Sequence, residues 1–252
     1  MGRKLRIVQD ITEGGAYRAK MRDEFVQIYK KPGVSGKRIK TDNAFTNTRL
    51  HNNEFKECAL AGKIIREQLA PLLSDTKDKG LVGRVLKLTH SIQNTDDTPR
   101  GYKSFAGMAE KEASLLLAGF NFLTGKGLDA LIFKQPSITR DGICFKDFVA
   151  LTDFLIPGGA THVELRGGCI YIDFAGGVAS STYSKPVRVP LNDRVREIKL
   201  KATMDSFTKG VGIFVLKLNF YQKTFKMGTK DTSALQIIKV VCVSDQKNVN
   251  AV

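Results

Sequence analysis

The chain reads as an α+β protein: a basic β-hairpin arm, a helical hairpin with a third helix, and an antiparallel, Ig-like β-sandwich. Three observations lead there. Short alternating runs precede residue 31. Apolar residues then recur every three or four positions from Phe55 to Leu72, which is one face of a helix. From about Phe120 the period falls to two, with glycine- and proline-rich turns between the runs. The expected divisions are 1–49 for the arm and its loop, 50–119 for the helices, 120–243 for the sandwich and 244–252 for a disordered polar tail.

In the arm, Leu5, Ile7 and Val8 form a first strand and Gly14-Gly15 a hairpin turn, since glycine accepts positive φ without a steric penalty. Phe25, Val26, Ile28 and Tyr29 form the returning strand, with aromatic and β-branched side chains suited to a pleated surface. A hairpin this short buries little by itself and has to lie on something: the body, a neighbouring subunit or a polyanion. Pro32, Gly33 and Gly36 then break the pattern into a loop.

The first long helix is expected to start at an Asn52 or Asn53 cap and to stop at Pro71. Its apolar stripe is Phe55, Cys58, Ala59, Gly62, Ile65, Leu69 and Leu72, with Lys56, Lys63 and Glu67 facing water. Gly62 in mid-helix costs ~1 kcal/mol relative to alanine, which close packing against another helix would justify. After the polar turn 74–79, Leu81, Val85, Leu88 and Ile92 line a second helix, capped by Asp75 or Asp78. The short connection makes the two helices antiparallel neighbours. Phe105, Met108, Ala109, Leu115 and Leu116 mark a third helix that ends near Gly119. Strands are expected over 120–122, 131–133, 143–145, 162–166, 169–174, 186–190, 197–203, 211–225 and 235–243. Gly167-Gly168 is among the turns placed between them, and Lys217 and Asn219 are placed on the face opposite Phe214, Leu216, Leu218 and Phe220.

The motifs carried by these elements resemble a family of uncharacterised proteins from bacteria of the Bacteroidota. The resemblance rests on Gly33-Val34-Ser35, Ala44-Phe45-Thr46-Asn47-Thr48-Arg49, Asn52-Asn53-Glu54-Phe55 and Ala61-Gly62-Lys63. Further along it continues in Arg100-Gly101, Gly119-Phe120-Asn121-Phe122 and Asn219-Phe220-Tyr221-Gln222. Asn43 and Asn47 stand where the family often has proline and arginine. The resemblance implies an architecture and no reaction.

Charge bears more directly on function. Of 252 residues, 40 are Lys or Arg and 25 Asp or Glu, a formal net charge of +15 that favours polyanionic partners. Residues 1–49 hold 12 basic and 5 acidic side chains, whereas 50–130 hold 11 and 10, so the excess sits before and after the helices. Lys30, Lys31, Lys37, Arg38, Lys40 and Arg49 fall within twenty residues, with Tyr29 and Phe45 interleaved. Lysine and arginine neutralise phosphates and release counterions, and an aromatic ring can stack on an unpaired base. These eight residues are the candidate polyanion-binding site, nucleic acid being the first expected partner. A solvated loop and a contact between subunits are the alternatives, the latter fitting a self-assembling structural subunit that exchanges its arm by strand addition.

Enzymatic chemistry finds little footing. Gly119 to Lys126 reads GFNFLTGK, one residue too long between its glycines for a phosphate-binding loop and without Ser or Thr after the lysine. His51, His90 and His162 have no partner at metal-ligand spacing. Cys58, Cys144, Cys169 and Cys242 lie far apart inside apolar patterns and read as packed thiols in a reducing compartment. No catalytic residue, metal or cofactor is expected. The N-terminus lacks a secretory apolar stretch, and no run approaches the roughly 18 apolar residues of a membrane span. The expectation is a cytoplasmic, non-enzymatic homo-oligomer.

Overall fold

A computed structural model of the chain describes residues 17–22, 25–30, 33–76, 78–105, 111–174, 176–204, 209–228 and 231–242. Two compact units are present, Met1–Leu50 and His51–Val252.

In the first unit, β1 (Tyr17–Arg22) and β2 (Phe25–Lys30) pair antiparallel, from Tyr17 opposite Lys30 to Arg22 opposite Phe25. The chain therefore reverses between Arg22 and Phe25. The expected strand at Leu5–Val8, the turn at Gly14-Gly15 and the tail 244–252 all lie outside the described residues. Beyond Gly33 the structure differs from the expected loop, because α1 (Gly36–Thr41) forms there. Ser35 caps it, its Oγ accepting from the Arg38 N–H at 3.2 Å. Asp42 closes it, donating its N–H to the Arg38 carbonyl while its Oδ1 accepts from the Ala44 N–H, and so opens a single 3₁₀ turn, Asn43–Phe45. The glycines that suggested a loop both sit at the start of this helix, Gly33 ahead of the Ser35 cap and Gly36 as its first residue.

That turn leads straight into α2 (Thr46–Gln68). Asn52 and Asn53, expected as caps, are inside this helix, because the 3₁₀ turn had already supplied its first carbonyls. In the second unit α2 buries Cys58, Ala61, Gly62 and Ile65. After α3 (Ala70–Leu73), with Pro71 in its first turn where a missing N–H is harmless, comes α4 (Leu81–Gln93). Gly80, not an aspartate side chain, occupies its cap position.

The two long helices run antiparallel and come closest at Gly62, where a Cβ would stand 3.2 Å from Val85 Cγ1. Nearby, Thr89 donates its hydroxyl to the Cys58 carbonyl and the Cys58 thiol donates to Gln93 Oε1. Phe55, expected in the buried stripe, is 54% exposed. Its neighbours on either side, Glu54 and Cys58, are both tied to Gln93 at the end of α4, so the covered stripe passes beside Phe55. In α5 (Lys111–Leu117) the inward residue is Leu117, and Leu115 and Leu116 face out.

α6 (Leu128–Leu131) precedes the sheets. The expected strands 120–122 and 131–133 reduce to isolated bridges, Asn121 to Gln236 and Ile132 to Phe154. The remaining elements are β3 (Ser137–Thr139), β4 (Gly142–Val149), α7 (Ala150–Asp153), β5 (His162–Asp173), β6 (Val178–Tyr183) and β7 (Val187–Pro190). Then follow β8 (Arg194–Lys201), β9 (Val211–Gln222), β10 (Phe225–Lys226) and β11 (Ser233–Cys242). All pairings are antiparallel. One sheet has β9 at its centre, with β5 on one side and β11 and β10 on the other; β7 and β6 share the far edge of β5. The second sheet is β3-β4-β8.

Two cores result. Phe145, Phe148, Ile198 and Leu200 of the small sheet meet Val163, Leu165, Phe214, Leu216, Leu218 and Phe220 of the large one. On the opposite face, Ile170, Ile172, Val211, Ile213, Val215 and Leu235 meet Cys58, Ile65, Leu72, Val85 and Ile92 of the helices. The architecture is α+β, with the large sheet sandwiched between helices and a smaller sheet.

Gly167-Gly168 is not a turn. Both glycines lie in the middle of β5. A Cβ on Gly168 would be 2.9 Å from Tyr183 Cδ1 and from Val215 Cγ2, and 3.1 Å from Leu72 Cδ1; one on Gly167 would be 3.1 Å from Ile143 Cδ1 and Leu200 Cβ. These glycines mark close approach, the other common reason for glycine in a strand.

Candidate functional site

The basic set picked out by sequence divides in two. Tyr29 and Lys30 close β2, paired with Arg18 and Tyr17, and Lys31 lies outside the described residues. Lys37, Arg38 and Lys40 are on α1, Phe45 is in the 3₁₀ turn and Arg49 is in the first turn of α2.

Arg49 acts as a buckle. Its Nη1 donates to the carbonyls of Ile39 (2.9 Å) and Asp42 (2.8 Å), and its Nη2 donates to Thr46 Oγ1 at 2.9 Å. The Ile39 carbonyl lies in the last turn of α1, where a cation is favoured, and the Asp42 carbonyl, at the cap, also accepts from the Phe45 N–H at 3.1 Å. Arg38 pairs with Asp42 at 3.0 Å, and its guanidinium lies 5.7 Å from the centre of the Phe45 ring. The Ala44 N–H, and then Arg38, hold the Asp42 carboxyl below its ordinary pKa. Arg38, Phe45 and Arg49 thus fasten the segment together. Lys37 and Lys40 are exposed and form no ion pair among the described residues.

A second polar constellation, not picked out by sequence, lies on the helix-facing side of the large sheet. There the face formed by Val211, Ile213 and Val215 continues into Lys217, Asn219 and Tyr221. Beside them on β5 stand Arg166, Glu164 and His162, each paired across to one of the three. The face changes character because the helices end at Leu73 and only the turn that follows overhangs it.

Lys217 is 4% exposed. Its ammonium donates to the Leu72 carbonyl and pairs with Asp75, whose other oxygen takes Lys226 at 2.6 Å. Burial pushes the Lys217 pKa down, against the pull of Asp75. Burial also pushes Asp75 up, but the two ammonium groups outweigh it and hold that carboxyl below its usual range. Glu164 accepts from Arg188 and from the Tyr221 hydroxyl, both at 3.1 Å, with the Arg188 guanidinium 3.8 Å from the Tyr221 ring centre. Among the described residues Arg166 donates to two carbonyls, Ser184 at 3.2 Å and Pro71 at 3.1 Å, and its guanidinium lies 5.7 Å from the Tyr183 ring centre. Asp75, Glu164, Arg166 and Lys217 line a cavity of about 220 Å³. Asn219 lines it, 2% exposed, and its Oδ1 has no hydrogen-bond partner.

A signal for this site was present in the sequence. Lys217 and Asn219 are the two strongly polar interruptions of the apolar run VGIFVLKLNFY. Alternation alone placed them on the face opposite Phe214 and Phe220, and that face too is covered because β9 is central.

Next to the constellation, Asp78 gathers another set of donors. It accepts from both Nη atoms of Arg84, from the N–H and hydroxyl of Thr124 and from the Gly80 N–H. Arg84 foremost holds its carboxyl well below the usual range. Asp75, Asp78, Thr124, Lys226 and Ser233 border an open cleft of about 630 Å³.

The other expected chemistries find these surroundings. Cys58 is fully buried; burial, with Glu54 adding to it, pushes its thiol up to about 11, which leaves no useful thiolate at neutral pH. The GFNFLTGK stretch runs along β11 and, contrary to the expected strand, leads into α6. There the Leu128 N–H is taken by Gln236 Oε1, and Gln236 Nε2 donates to Asp129. Among the described residues no three His, Cys, Asp or Glu side chains converge as a metal site would require. No helix among them is long and apolar enough to cross a membrane. The chain matches no protein-family model, no curated protein and no solved structure.

Proposed function

We propose that the protein is a non-enzymatic basic binding protein that contacts a polyanion, nucleic acid first, through its N-terminal arm. The observation that carries this reading is the unequal use of charge on and around α1. Arg38 and Arg49 are spent on fixing the segment, while Lys37 and Lys40 stand exposed with no carboxylate to neutralise them. Cations held on a capped helix need no reordering to meet a phosphate backbone, so less entropy is lost on binding. Lys30, Lys31 and Tyr29 join them in the proposal by their place in the sequence, and Phe45 lies under Arg38. No catalytic residue, metal or cofactor is part of it.

The test is the salt dependence of duplex DNA binding by the full chain and by a Lys37→Gln/Lys40→Gln variant. Two lost phosphate contacts lower the slope of log Kobs against log salt by about 1.8. An unchanged slope and affinity would sink the reading.

A second reading has its own support: β1 and β2 pair with each other and, among the described residues, with no further strand. An isolated two-stranded hairpin is marginal in water. A self-assembling subunit that lends this hairpin to a neighbour would satisfy it by strand addition. Sizing after nuclease treatment separates the two, because an assembly held by strand exchange survives high salt and a nucleic-acid complex does not. A cytoplasmic location and an Ig-like description of the two facing sheets belong to the same proposal.

A further inference from the structure

We propose that the cavity between the Ser74–Asp75 turn and the β5–β9 pair is a binding site for a small phosphorylated molecule, separate from the N-terminal arm. Three observations point to that chemistry.

The first is the balance of charge. Lys217 and Arg166 line the cavity with Asp75 and Glu164, and outside the lining Lys226 pairs with Asp75 and Arg188 with Glu164, so the cluster holds four cations against two carboxylates. Both carboxylates are already paired, Asp75 with the two lysines and Glu164 with Arg188. Arg166 meets two carbonyl oxygens and the Tyr183 ring but no carboxylate among the described residues, and an unneutralised guanidinium beside a buried ammonium favours a dianion.

The second is the count of donors. An ammonium has three N–H bonds, and Lys217 uses two, on Leu72 and Asp75. A guanidinium has five, and the recorded partners of Arg166 take two, on Ser184 and Pro71. The unspent donors sit on side chains that line the cavity, and they ask for several acceptor oxygens.

The third is the Asn219 Oδ1, which is buried at the same cavity without a donor. Leaving such an acceptor unpaired is costly, so the occupant has to bring a hydrogen-bond donor as well. Hydrogenphosphate, or a phosphate monoester with a nearby hydroxyl, carries both: anionic oxygens for Lys217 and Arg166, and an O–H for Asn219. A water molecule could satisfy Asn219 but leaves the excess positive charge unanswered. Sulfate answers the charge and brings no proton at neutral pH.

The experiment is thermal unfolding of the full chain in sodium phosphate and in sodium sulfate at matched ionic strength, with the ³¹P line width of inorganic phosphate as a direct probe of binding. Phosphate at about 100 times its dissociation constant raises Tm by about 5–10 °C, more than sulfate does, and the ³¹P line broadens on adding protein. Arg166→Gln removes most of this shift. Asn219→Leu, nearly isosteric, keeps or raises Tm without phosphate and removes the preference for phosphate over sulfate; it serves even where Arg166→Gln folds poorly. Lys37→Gln/Lys40→Gln leaves the phosphate shift intact. Equal shifts in the two salts, or none, overturn the proposal and leave a water-filled cavity. Loss of the shift in the lysine variant also overturns it, because phosphate would then be reporting on the arm.

Discussion

At the scale of single residues, the side chains that fix this structure are charged groups whose partners come from distant parts of the chain. Asp78 binds Arg84 from α4 and Thr124 from the stretch before α6, so one carboxylate ties a helix start to the loop that crosses it. Replacing it with alanine leaves Arg84 without its carboxylate, though still bonded to Thr124 Oγ1 and the Phe122 carbonyl, and frees three other donors. We expect Asp78→Ala to cost about 3 kcal/mol, read as a lower urea midpoint at unchanged m. Arg49 works in the same way over a shorter distance, closing the end of α1 with three donated hydrogen bonds. Its charge was legible in the sequence and its partners were not. Nothing in the one-dimensional pattern distinguishes an arginine that meets a ligand from one that meets the carbonyls of its own preceding helix. Lys217 shows the reverse case: a lysine placed opposite the apolar face and buried by the strands on either side of it.

At the scale of elements, the glycines separate two uses of the same residue. Gly83 on α4 is exposed and a Cβ there would meet nothing within 4 Å, so it only loosens the helix. Gly168 in β5 sits where Tyr183, Val215 and Leu72 converge. Gly83→Ala is expected to raise stability by about 1 kcal/mol, and Gly168→Ala to lower it by about 1–3 kcal/mol through overpacking. Paired denaturation curves check both, and equal effects would mean that β5 is not the pressed centre of the unit. The long helices were readable because 3.6-residue periodicity repeats over several turns. The start of α2 was not, since a 3₁₀ turn fed by Asp42 replaced the asparagine cap. β5 read as two strands for the same local reason, the glycine pair. β6, VASSTY, carries no large apolar residue beyond its ends and has no signal apart from the partner it joins.

At the scale of the whole molecule, the second unit is clamped by carboxylates with depressed pKa values. Asp75 and Asp78 both titrate below their ordinary range, so they bind protons less readily folded than unfolded. Their contribution is fully present above the unfolded carboxylate value of about 4 and is lost as pH falls through the folded values. Tm should therefore hold steady from neutral to mildly acidic pH and drop below about pH 4. In Asp78→Asn that acid limb should be shallower; an identical limb would show that other carboxylates govern it. By itself the sequence determined the α+β class, the antiparallel helix pair, most of the buried stripe of the two long helices and the excess of positive charge, because periodicity and composition follow from local chemistry. The tertiary structure decided which charges are spent and which are left over. Burial and ion pairing depend on what the rest of the chain lays across a side chain, and for Lys217, Asn219 and Arg166 that covering comes from a helix end and strands distant in the chain.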